Sequence, residues 1–128
     1  MAISIVKLGS QRKRGEGLRV GTVRRPPRGV PKSEFASRDY YDVWLPELAP
    51  SEALVKRGLQ ATTERQWLAF SKAYRREMSR PEAARLLELL AALSRTSALS
   101  VGCYCEDESR CHRSLLRALL EERGARLR

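Results

Sequence analysis

The segment GCYCEDESRCHRSLL, residues 102–116, holds all three cysteines and the one histidine of the chain. A thiol attacks carbon or binds metal as its thiolate, and imidazole is the side chain whose charge ordinarily changes near neutral pH. The order of residues puts Cys111, His112 and Arg113 in the first turn of a helix, directly after an acidic turn. A helix N-terminus presents unpaired N–H groups and a partial positive charge. It lowers the pKa of a cysteine placed there and accepts an anion, here with Arg113 to help. Cys111 and His112 are the candidate catalytic pair on this ground, with His112 as the acid–base group. The competing reading is a His112 that hydrogen-bonds to the acidic turn and has no chemical task.

The same segment offers two other chemistries. A cysteine-phosphatase loop needs five residues between cysteine and arginine; four separate Cys105 from Arg110, and Glu106, Asp107 and Glu108 would repel phosphate, so that reading is rejected. Cys103, Cys105, Cys111 and His112 supply enough donors for zinc. Against zinc, a Cys-x-Cys pair on a regular strand points both thiols into the core, and adjacent Cys111 and His112 need unusual backbone geometry to meet one ion. Cys103, in step with Leu99 and Val101, reads as a core side chain. No metal and no cofactor are therefore expected, and the purified protein is expected to lack stoichiometric zinc.

The second candidate surface is charge. The chain carries a formal net charge of +10. Residues 1–32 contain nine cations (Lys7, Arg12, Lys13, Arg14, Arg19, Arg24, Arg25, Arg28 and Lys32) against one anion, Glu16, leaving only +2 for the rest of the chain. Such asymmetry points to an anionic partner, nucleic acid or nucleotide. Arg24, Arg25, Arg28 and Lys32 lie in RRPPRGVPK, residues 24–32. Three prolines make that loop stiff, and arginine suits bidentate contact with phosphate. These four and Arg113 are the candidate ligand-binding residues. The alternatives are pairing of these cations with acids elsewhere in the fold, or a solvated basic face.

Local patterns indicate the elements that carry both surfaces. Ile3, Ile5, Val6 and Leu8 read as a strand, with a central place in a sheet. Leu18, Val20 and Thr22 alternate into a second strand ending near Val23, and Leu99, Val101, Cys103 and Cys105 into a third. Ser51 is positioned to cap a helix that Gly58 stops. Thr63 and Gln66 have capping-box spacing and open a helix with Trp67, Phe70, Tyr74 and Met78 along one stripe, read as core. Pro81 begins the next helix, with Leu86, Leu87, Leu89, Leu90 and Leu93 as its apolar face. Ser109 caps a last helix bearing Leu115, Leu116, Leu119 and Leu120, closed by Gly124, and residues 125–128 form a brief final strand. The fold class is α/β, one compact domain with a small, mainly parallel sheet and helices packed on it.

A length of 128 residues suits one domain. No stretch approaches the roughly 18 consecutive apolar residues of a membrane span, and residues 1–8 are too short for a secretory signal. Three cysteines within nine residues do not make a secreted disulfide framework. The expectation is a cytoplasmic protein with no membrane partner. Its oligomeric state is not legible in the sequence.

Four segments in order carry a family resemblance: RPPRGVPK, DVWLPELAPS, Trp67 with Phe70 and Tyr74, and CYCEDESRCHRSLL. Together they resemble the domain-of-unknown-function family four-eighty-eight, the YeaO-like proteins, over nearly the whole chain. At 24–27 this chain has arginine and proline where that family commonly has an acidic residue and tryptophan before Pro-Arg-Gly. The resemblance implies a compact α/β domain and no established activity. It also implies that Arg28, Cys111, His112 and Arg113 belong to one site.

The leading expectation is a protein that binds a phosphate-bearing ligand through the basic loop and the Cys-His-Arg helix N-terminus. A small enzyme using Cys111 and His112 at the same cleft is the alternative, and a metal-stabilised or interaction protein the third. With parallel strands, the loop at 24–32 and the turn at 105–112 leave the same sheet edge. Arg28, Cys111, His112 and Arg113 are then expected to line one shared anion pocket.

Overall fold

The computed structural model describes residues 1–106 and 111–128. Four parallel strands form one sheet: β1 (Ile3–Lys7), β2 (Leu18–Gly21), β3 (Val43–Trp44) and β4 (Leu99–Cys103). Their order is β1-β4-β2-β3. Four helices accompany them: α1 (Glu52–Gln60), α2 (Glu64–Met78), α3 (Pro81–Leu93) and α4 (His112–Glu122). The α/β class and parallel sheet expected from the sequence are present. None of the described helices is long and apolar enough to cross a membrane.

The central place assigned to the first strand is corrected. β4, every residue of which is buried, lies between β1 and β2, with Ile5 and Val20 both paired to Val101. Among the described residues β1 is bordered on its other side by a bridge from Ile3 to Leu127, the expected final strand reduced to one pairing. β3 was not anticipated. Two residues long, it is held by the Asp42 carboxylate accepting from the Arg19 N–H and by the Trp44 indole donating to the Val23 carbonyl at 2.7 Å.

The helix starts follow local chemistry. Ser51 Oγ accepts from Leu54 N–H, and Thr63 with Gln66 forms a full capping box. Pro81 opens α3, and Gly124, at φ 78°, follows the end of α4. Gly58 does not stop α1 but lies within it. A Cβ there would come within 2.8 Å of the Phe70 ring, so its absence lets α1 close on α2. Of the α3 leucines, Leu87 and Leu90 are buried while Leu89 and Leu93 are exposed; Ala83 and Ala91 complete the buried face instead. The Ser109 cap falls outside the described residues; the N-cap of α4 is Cys111.

The main core joins Val20, Leu99 and Val101 of the sheet to Phe70, Tyr74, Leu87, Leu116 and Leu120 of the helices. A second cluster of Leu8, Val23, Tyr41, Cys103 and Cys111 gathers where β1, β2 and β4 end. Arg19 and Glu16, counted above as charge, are buried against each other.

Candidate functional site

Ligands of parallel α/β sheets bind outside the carboxyl ends of the strands, where the following loops diverge. Here β2 runs on to Val23, Arg24 and Arg25, β4 runs on to Tyr104 and Cys105, and α1 lies opposite. Between them opens a cleft of about 470 Å³. Val23, Pro50, Val55, Leu59 and Tyr104 supply an apolar wall; Cys103, Cys105 and His112 border it. Arg25 and Lys56, both exposed, also line it.

His112 is buried as the first residue of α4. Its Nε2 lies 2.8 Å from the Thr22 carbonyl oxygen. A carbonyl only accepts, so Nε2 carries the proton and Nδ1 keeps its lone pair. Nδ1 lies 3.6 Å from Cys111 Sγ, and Tyr74 packs at a ring distance of 5.6 Å. Burial lowers the His112 pKa to about 4, overriding the Thr22 bond, so the ring is neutral at pH 7.

Cys111 Sγ lies 2.8 Å from Cys103 Sγ, and all three cysteines are free thiols. Cys105 is the exposed one and borders the cleft, outside the close group of Cys103, Cys111 and His112. Interaction with the two other thiols lowers the Cys105 pKa against the effect of partial burial. Interaction with the other thiols, Cys105 first, and burial raise that of Cys103. For Cys111 the interaction with Cys103 favours ionisation, but that with Cys105 and burial prevail and the pKa rises. Arg113 is buried; its Nη2 donates to the Cys105 carbonyl at 2.5 Å, and its Nε has no partner among the described residues.

The geometric objection to a common ligand set does not hold. Cys111 is extended (φ −131°, ψ 155°) while His112 is helical, and this change of backbone between neighbours turns both side chains inward. The chain leaves strand geometry at Tyr104, so Cys105 does not follow the alternation of β4. Ligand atoms of Cys103, Cys111 and His112 lie within 4.8 Å of one another.

The expected shared pocket of Arg28, Cys111, His112 and Arg113 is corrected. Of the four, only His112 lines the cleft; Cys111 and Arg113 are sealed beneath it. Arg28 lines a neighbouring hollow with Pro26, Pro27 and Tyr40, and Arg25 and Tyr104 border both hollows. The Tyr104 hydroxyl donates to the Arg25 carbonyl at 2.9 Å, closing the gap between the two loops.

The other basic residues divide. Arg24 donates to the carbonyls of Pro46, Ala49 and Pro50, which fixes the loop before α1. Arg25 pairs with Glu52, Arg12 with Asp42 and Asp39, and Lys7 with Glu106. Lys13, Arg14, Arg28 and Lys32 are exposed. Sequence reasoning did not find Lys56, Val55 and Leu59 of α1, nor Thr22. No local pattern marks them, because the cleft is made by bringing α1 opposite the ends of β2 and β4.

A family model, DUF488-N3a, described as the active DUF488-N3 subclade, matches residues 3–124. No curated protein and no solved structure matches the chain.

Proposed function

We propose, on the premise that the chain belongs to the DUF488-N3a family, that it binds a small phosphate-bearing ligand of the nucleotide class in the cleft beyond β2 and β4. One observation carries this reading: an apolar, ligand-sized cleft with two exposed cations among its lining residues. An aromatic base would lie against Val23, Val55, Leu59 and Tyr104, and the phosphate would meet Lys56 and, by displacing the exposed carboxylate of Glu52 from it, Arg25. Apolar walls with a few placed polar groups are what small-molecule sites need. Extended nucleic acid is the weaker form of the reading, because Arg12, Arg19 and Arg24 already hold partners within the fold. The test is titration of the chain with nucleoside mono-, di- and triphosphates by calorimetry. Binding that weakens on the order of tenfold in Lys56→Glu fits the loss of one charged contact. No binding of any of them at millimolar concentration overturns the reading.

A small enzyme at the same cleft is favoured by one further observation: an exposed thiol, Cys105, lines the cleft together with the imidazole of His112. The nucleophile in that reading is Cys105. Cys111, the residue singled out from the sequence, is 3% exposed and does not line the cleft.

A further inference from the structure

We propose that Cys103, Cys105, Cys111 and His112 form a tetrahedral site for a soft divalent cation of the zinc class, set against the cleft. The proposal does not depend on a phosphate-bearing ligand.

The donor set comes from two places in the fold. Cys103 ends β4 and Cys105 follows it; Cys111 caps α4 and His112 begins it. The ligand atoms of Cys103, Cys111 and His112 are buried and mutually within 4.8 Å. Cys105, two residues beyond the end of β4, is the exposed cysteine; it lies outside this group of three and would close onto the ion as the fourth donor. In a tetrahedral zinc site, bonds of about 2.3 Å to sulfur and 2.0–2.1 Å to nitrogen place sulfur about 3.6 Å from nitrogen. Cys111 Sγ and His112 Nδ1 are 3.6 Å apart. The same bond lengths put two sulfurs about 3.8 Å apart. Cys103 and Cys111, at 2.8 Å, would separate by about 1 Å to admit the ion.

The surroundings suit a metal as well as the donors do. A metal-binding imidazole typically donates its second ring N–H to a carbonyl or carboxylate, which fixes the ring and aims the free lone pair. The Thr22 carbonyl, 2.8 Å from Nε2, does this for His112 and leaves Nδ1 turned to the thiols. Binding releases the thiol protons to solvent, up to three if all are protonated beforehand. Three thiolates and one dication leave a single negative charge. The buried guanidinium of Arg113, held to the Cys105 carbonyl, supplies the opposite charge. Nε of that guanidinium, without a partner among the described residues, is a donor available to a thiolate.

The experiment uses the full chain, reduced and stripped with a chelator, then titrated with cobalt(II) and afterwards with zinc. The expected result is one cobalt per chain, with thiolate-to-cobalt charge-transfer absorption and the visible bands of a tetrahedral ion, both displaced by zinc. Cys111→Ser is expected to abolish them. Because that buried change could also unfold the domain, Cys105→Ser at the exposed position is the second variant. It is expected to stay folded by circular dichroism, to lose charge-transfer intensity, and to bind zinc on the order of tenfold or more weakly. Folded, reduced wild-type protein that develops no charge-transfer absorption overturns the site. Absorption unchanged in Cys105→Ser overturns the four-ligand form.

Discussion

The Nε2 of His112 and the carbonyl oxygen of Thr22 lie 2.8 Å apart, so the first turn of α4 is tied to the chain just beyond β2 by a neutral, buried imidazole. The folded-state pKa is about 4 against an ordinary 6.5. A depressed histidine takes up protons more readily when unfolded, so stability is full above about pH 6.5 and falls as pH drops toward 4. The loss on crossing that window is on the order of 3 kcal/mol. Glutamine places an amide nitrogen near the position of Nε2 without titrating. His112→Gln is therefore expected to flatten the stability profile of metal-stripped protein between pH 7 and 4.5, measured by urea unfolding. His112→Ala leaves the Thr22 acceptor unpaired and is expected to cost about 2–3 kcal/mol at pH 7. A profile identical in wild type and His112→Gln would show that the ring titrates normally.

A separate acid limb is expected from two carboxylates. Burial raises the Glu16 pKa, but hydrogen bonds from Arg19 and the Lys13 N–H, with the Arg19 charge, outweigh it and the net shift is downward. Asp42 is lowered first by its bond to Arg12, against burial, and further by the Arg19 N–H. With folded pKa values below the unfolded ones, this stability is present above about pH 4 and is lost as pH falls through the folded values. Asp42→Asn is expected to reduce the steepness of thermal destabilisation below pH 4 while leaving the histidine limb intact. Equal slopes in variant and wild type would count against these pairs.

How much of this was legible depends on how far apart in the chain the interacting residues lie. Ser51, Thr63 with Gln66, Pro81 and Gly124 act on their own helices, and each predicted its element. The order of the sheet depends on pairings such as Ile3 with Leu99, which no local pattern carries. The charge count could not see that Arg19 would be buried on Glu16 or that Arg24 would bind three carbonyls. Parallel strands did bring the 24–32 loop, Cys105 and His112 to one edge, but Arg25 and Tyr104 stand between two hollows there, and Arg28 lines only the second. The backbone change that adjacent Cys111 and His112 need to face one point is supplied by the helix start between them, which depends on where α4 begins.

Thiol reactivity should follow exposure and ionisation together. Cys105 has both, while Cys103 and Cys111 are 2% and 3% exposed and their thiols are held protonated. Brief treatment of metal-stripped protein with iodoacetamide at pH 7, read by peptide mass spectrometry, is expected to label Cys105 first. Prior loading with zinc is expected to slow that labelling, since a coordinated thiolate is a poorer nucleophile. Labelling of Cys111 ahead of Cys105 would contradict the burial of Cys111.

The basic loop permits the sharpest separation between a cleft ligand and nucleic acid. Arg25 lines the cleft and the neighbouring hollow, whereas Arg28 lines only the hollow. Both are exposed, and the Arg25 pairing with Glu52 is at the surface, so replacing either should change stability by less than about 1 kcal/mol. If a nucleotide occupies the cleft, Arg25→Gln should weaken nucleotide binding on the order of tenfold. Arg28→Gln should leave it within about twofold, because Arg28 lines only the neighbouring hollow and an exposed charge there is screened by salt. If instead the 12–32 region follows a polyphosphate backbone, both variants should weaken oligonucleotide binding by similar factors. Each lost phosphate contact would then reduce the slope of log affinity against log salt by about 1. Fluorescence anisotropy with a labelled oligonucleotide and calorimetry with a nucleotide, each at several salt concentrations, read both outcomes. Equal sensitivity of nucleotide binding to Arg25→Gln and Arg28→Gln would remove the cleft as the place where phosphate is held.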